Sequence, residues 1–149
     1  MSDWEKRDVW TKRERTFAVE VSHHEAPPLR SGLAMDEGPH RWAVYAYVYP
    51  EHPLFKALDA NGGIWQAATG HLPLHVGCSL FRTHRREDGA ITSYQIGADY
   101  HHLYDEFYTH MATREDARLV FLDAEALCEA LAASGSAGAA DPADTEGKE

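Results

Sequence analysis

The stretch LHVGCSLFRTHR (74–85), REDG (86–89) and AITSYQIGADY (90–100) decides the fold. Two runs rich in β-branched and aromatic residues flank a short polar break, the pattern of a β-hairpin. Asp88-Gly89 supplies the positive φ angles that a tight type I′ turn demands. With those two as the loop residues, Glu87 faces Ala90 and pairing runs outward through Ser79 with Ala98, Gly77 with Tyr100 and His75 with His102. The two histidines then share a face at the open end of the hairpin, within cross-strand contact. A one-residue slip would send one of them to the opposite face.

Upstream, RWAVYAYVY (41–49) reads as a second strand, with Trp42, Val44, Ala46 and Val48 on one face and Tyr45, Tyr47 and Tyr49 on the other. Phe17, Val19 and Val21 alternate in the same way and predict a third strand. Between them, residues 23–40 hold Pro27, Pro28, Gly32, Gly38 and Pro39 after His23 and His24, too many breakers for a regular element. After Pro50, a short helix is expected from about Pro53 to Leu58, stopped by Asn61-Gly62-Gly63. Downstream, Asp123 is expected to cap a helix whose Ala124, Leu127, Cys128 and Leu131 form one apolar stripe. Arg118 to Leu122 reads either as that helix's first turn or as another short strand.

The expected fold is therefore α+β: a small antiparallel sheet, including a 75–85/90–100 hairpin, packed against a C-terminal helix. Residues 1–15, crowded with alternating charge around Trp4, Val9 and Trp10, form a charged arm or a short helix. Residues 16–133 make a single domain, since 149 residues with 44% hydrophobic content suit one core. From Ser134 the chain reads SGSAGAADPADTEGKE, with four acids, one lysine and no large apolar side chain. Such a segment cannot offset its ordering entropy by burial, so 134–149 is expected to be a disordered acidic tail.

The formal net charge of -10 argues against direct nucleic-acid binding, which needs clustered Lys and Arg to release counterions. No long apolar run suggests a leader or a membrane span, and the expected location is the cytoplasm. Cys78 and Cys128 stand far apart in no CxxC pattern and read as buried thiols.

The polar residues that draw attention are Asp99, His102 and Asp105, spaced by three, which in a helix or tight turn puts them on one side. His75 joins them across the hairpin. Carboxylate and imidazole together are ordinary ligands of zinc, manganese or iron, and carboxylates also hold magnesium. With an open coordination position, such a metal would activate water and give a hydrolase. Without metal, Asp99 would orient His102 as a general base, with Tyr100 or Ser79 as a neighbouring donor. Bland alternatives stand beside these: Asp105 as the cap of a helix beginning at Glu106, and Asp99 in an Asx turn. The run Arg82, His84, Arg85, Arg86 is a basic hairpin tip, a solvated turn or the one place where a phosphate-bearing partner would dock.

The order WAVYAYV, YPEHPLF, HVGCSLF, QIGADYHHLYD, FLDAEALCEALAA resembles a family of small uncharacterised proteins encoded by phages and prophages, over about Trp42 to Ala133. The family pattern runs W-x-G-Y-V, H-P-L-Y, H-G-G-L-T-Y, G-F-D-x-x-H-x-x-D, then a terminal helix. His52, His75, Asp99, His102 and Asp105 fall on its His, His, Asp, His and Asp. Val76, Ser79 and Ala98 depart from its first Gly, its Thr and its Phe. The resemblance implies an accessory protein acting in a bacterial host cell, without implying a reaction. Two functions follow as expectations. One is a metal-dependent hydrolase of a small phosphorylated molecule, with His75, Asp99, His102 and Asp105 as ligands or acid/base groups. The other is a non-catalytic acidic protein that inhibits or sequesters a host (defence) component by occupying a cationic site.

Overall fold

The computed structural model describes residues 7–27, 37–61, 69–101 and 105–139. Side chains in a strand point alternately to opposite faces, so the period-two pattern around Trp42 separates two surfaces. Five strands result: β1 (Arg7–Arg13), β2 (Phe17–Glu25), β3 (His40–Val48), β4 (Leu80–Arg85) and β5 (Ile91–Asp99). All neighbours pair antiparallel, in the order β1-β2-β3-β5-β4. Both described helices, α1 (Pro53–Asn61) and α2 (Arg118–Ala139), pack on one face of this sheet, giving the expected α+β fold. Phe17, Val19, Val21, Trp42, Val44, Ala46, Val48 and Ile96 form the sheet side of the core, and Leu54, Leu58, Val120, Leu127 and Leu131 form the helix side.

Polar ties fix the helices to the sheet. His52 caps α1: its Nδ1 accepts from the Leu54 amide at 3.0 Å, while Nε2–H donates to the Leu131 carbonyl at 2.8 Å. Proline at the next position completes this helix start, since its missing N–H would have no partner there. The Trp42 indole donates to the Met111 carbonyl at 2.9 Å. The Tyr94 hydroxyl donates to Asp59 at 2.7 Å, joining β5 to α1.

Several sequence expectations change. Residues 7–13 form β1, a strand on the sheet edge, because Trp10 stacks on Trp42 at 5.8 Å and meets Phe121 edge-on at 5.2 Å. The charges that suggested a helix or an arm instead flank an edge strand, where they discourage pairing with another chain. His23 and His24 belong to β2, not to the loop. His23 is wholly buried, lies 4.5 Å from the Trp42 ring, and bonds Asp8 and His40 at 3.1 and 2.9 Å. Asp123 does not cap α2. The helix begins at Arg118, so Arg118 to Leu122 is helical and Asp123 lies inside it; the turn before it is closed reciprocally, Asp116 N–H donating to Thr113 Oγ1 and Thr113 N–H to Asp116 Oδ2. The helix backbone continues to Ala139, five residues past the expected start of the tail, whose remainder lies outside the described residues.

The hairpin keeps its register by a different turn. Within the turn only Gly89 has positive φ, at 90°, and its amide reaches the Arg86 carbonyl at 2.9 Å, so Glu87 and Asp88 occupy an ordinary type I turn. The extra loop residue is absorbed by a bulge between His84 and Arg85. From His84 with Ser93 to Leu80 with Gly97 the pairing is the predicted one. It stops there: His75 lies in a turn closed by Gly77 N–H on the Leu74 carbonyl, not on a strand opposite residue 102.

Burial, then the bond to Asp59, pushes the Tyr94 hydroxyl up to about 12. The folded value lies above the unfolded value of about 10. The stability from this group is therefore complete below roughly pH 10 and lost as pH rises through about 12. Tyr94→Phe should flatten the fall of the urea midpoint over that alkaline window. Identical slopes in parent and variant would show that Tyr94 contributes no linkage.

Candidate functional site

Strand parity distributes the predicted site residues. β5 runs through Asp99, so Asp99 and Tyr100 point to opposite faces. Tyr100 turns inward, where its ring stacks on His75 at 4.2 Å and 15° and its hydroxyl donates to Asp123 at 2.5 Å. The chain then returns with Asp105, whose Oδ1 lies 2.8 Å from His75 Nε2. His75 and Asp105 are thus brought together, with side chains 17% and 7% exposed. Asp105 precedes the 3-10 turn Glu106–His110 without capping it, because its carboxylate is committed to the imidazole. His102 lies outside the described residues. Asp99 takes the Asx-turn role, accepting the His101 amide at 3.1 Å, with its side chain on the other face of the sheet. Among the described residues no group of three or more His, Cys, Asp or Glu gathers to hold a metal ion.

Around the His75–Asp105 pair, Tyr108 meets the His75 ring edge-on at 5.3 Å. Burial foremost, then the Asp123 carboxylate, holds the Tyr100 hydroxyl far above its ordinary value, and the same causes raise Tyr108. Both phenols stay protonated, and Tyr100 donates to Asp123. An imidazole hydrogen-bonded to a carboxylate is a competent proton acceptor and donor. The adjoining backbone is strained: Val76 sits at φ 58° and is 71% exposed, followed by Gly77 at φ 85°. A β-branched residue rarely adopts that conformation.

The second candidate is the face without helices. It forms a groove of about 700 Å³, within the range of small-molecule sites. Arg7 of β1 and Arg82 of β4 enter it from the two edge strands, over a floor that includes Tyr45, Tyr47, His84 and Gln95. Gly97 belongs to that floor for lack of space, since a Cβ there would clash with the Tyr45 ring and the Val44 carbonyl. At one end Arg41 donates to Glu37 at 2.8 Å, and His101 Nε2 meets the same carboxylate oxygen at 2.5 Å. The Glu37 side chain is fully buried, and such an ion cluster is costly unless every member is satisfied. Arg41 meets that condition through further bonds to the Gly38, His40 and Pro27 carbonyls. Desolvation, then Asp99, raises Tyr45, and desolvation, then Glu20, raises Tyr47, so both hydroxyls remain donors at neutral pH.

Sequence reading reached Arg82 and His84 as a phosphate-docking tip but missed Arg7, Glu37, Arg41 and His101. The only available signal was parity along 41–47, which puts Arg41, Tyr45 and Tyr47 on one face.

Val76→Gly should relieve the left-handed strain and raise stability by about 1 kcal/mol, read from the denaturant midpoint. An unchanged or lower midpoint would mean that the valine contacts outweigh its backbone cost.

Compared with known proteins, the chain matches no family model, no curated protein and no solved structure.

Proposed function

We propose that the protein is a phage-type accessory protein that binds a small phosphorylated molecule in the groove on the open face of its sheet. The observation that carries the reading is the placement of Arg7 and Arg82 across a tyrosine-lined floor. In a chain of net charge -10, this surface sets three arginines (Arg7, Arg41, Arg82) against three carboxylates (Glu20, Glu37, Asp99). The local balance of these six groups is zero, against -10 for the whole chain. Guanidinium groups match phosphate oxygens bidentately, and the tyrosine rings offer faces to a planar group. The phage context is supplied by the sequence resemblance.

A second reading, acid–base hydrolysis, is favoured by the His75–Asp105 bond beside the strained Val76. Strain of this kind gathers at functional sites. If it holds, the parent cleaves p-nitrophenyl phosphate and Asp105→Asn lowers that rate at least about 100-fold, the usual weight of a general acid/base partner. Absence of turnover in the parent would remove this reading.

For the groove, calorimetric titration with AMP, adenosine and inorganic phosphate is decisive. AMP should bind more tightly than either fragment, with affinity falling as salt rises. Arg82→Gln should weaken it about tenfold, the loss of roughly 1.4 kcal/mol in one charge-assisted contact. Failure of AMP to bind at millimolar concentration, or an Arg82→Gln affinity equal to the parent's, would refute groove binding.

A further inference from the structure

On the opposite face, a crevice of about 250 Å³ opens where β1 and β2 meet α2. Its walls are apolar: the Trp10 ring and Phe121 stand at 81° to each other, 5.2 Å apart, with Val19, Val21, Ala124 and Cys128 behind. Burial pushes the Cys128 thiol up, so it is a neutral lining group. The rim is charged. Arg114 lies over the Phe121 ring at 4.9 Å, and Lys12 faces Glu125 at 3.7 Å across the mouth. The Lys12–Glu125 pair has both side chains more than half exposed, so it is weak and readily exchanged.

We propose that this crevice is a binding site for a single-ring aromatic carboxylate, its ring lying against the corner that Trp10 and Phe121 form and its carboxylate at the Arg114 and Lys12 rim. Size favours one ring: a cavity of about 150 Å³ accommodates benzene. At about 250 Å³ the crevice leaves room for one substituent but none for a nucleotide. Aromatic walls at near right angles offer an incoming ring one stacked and one edge-to-face contact together. The rim selects for charge, because two cations face a single carboxylate there. The site is separate from the open-face groove and stands or falls independently of it.

The test is titration of the full chain with benzoate, benzyl alcohol and acetate, followed by amide chemical shifts. Benzoate should give saturable shifts at Val19, Val21, Phe121 and Ala124, with affinity at least tenfold above benzyl alcohol, which lacks the charge, and above acetate, which lacks the ring. Arg114→Gln, at an exposed position before α2, should lower benzoate affinity about tenfold while leaving the spectrum folded. Ala124→Leu should block binding by filling the crevice. If Ala124→Leu does not fold, the Arg114→Gln comparison decides alone. Shifts that never saturate, that fall elsewhere, or that are as strong for benzyl alcohol or for acetate overturn the proposal, as does unchanged affinity in Arg114→Gln.

Discussion

The alternation of β3 is the constraint on which the rest of the structure depends. Trp42, Val44, Ala46 and Val48 face the helices, while Arg41, Ala43, Tyr45 and Tyr47 face away. Because β3 is the middle strand, its parity is transmitted through paired neighbours to every other strand. Val21 lies beside Val44, and Ala98 lies beside Val44 from the other side. One face is thereby committed to burial and the other to polar side chains. Trp42 concentrates this commitment: its ring contacts Trp10, His23 and Phe121, and its N–H reaches the Met111 carbonyl.

Hydrophobic contact holds the layers together, and a few polar bonds set how they align. Tyr94 to Asp59, Tyr100 to Asp123 and His52 to the Leu131 carbonyl each link two different elements. A hydrogen bond of this type contributes only about 1 kcal/mol net, whereas leaving its buried partner unsatisfied costs about 1 to 3 kcal/mol. These ties therefore act chiefly by excluding other arrangements. The same reasoning applies to Glu37, which is tolerable in its buried setting because Arg41 and His101 both reach it.

The two polar regions differ in physical character. His75 and Asp105 form an enclosed pair, packed against Tyr100 and Tyr108 on the helix side. The groove on the other face is broad, and it brings arginines from separate strands towards one surface in an otherwise acidic chain. Enclosure suits proton transfer, whereas a broad surface with spaced cations suits recognition of an anion.

Sequence periodicity by itself determined the fold class, the strands around Val19, Trp42 and Ile96, the short helix after Pro53 and the apolar stripe of α2, because these follow from local burial patterns. It also determined the hairpin register beyond the bulge, although not the turn. The edge strand β1 was not legible, since its stability comes from Trp10 packing on residues distant in the chain. Nor was the start of α2, where Asp123 looked a suitable cap but lies inside a helix that begins at Arg118. Tertiary structure alone decided the site. Spacing by three placed Asp99 with Asp105, but β5 extends through Asp99, and a single step along a strand crosses the sheet. His75 and Asp105 met on one side, and Asp99 joined the groove on the other.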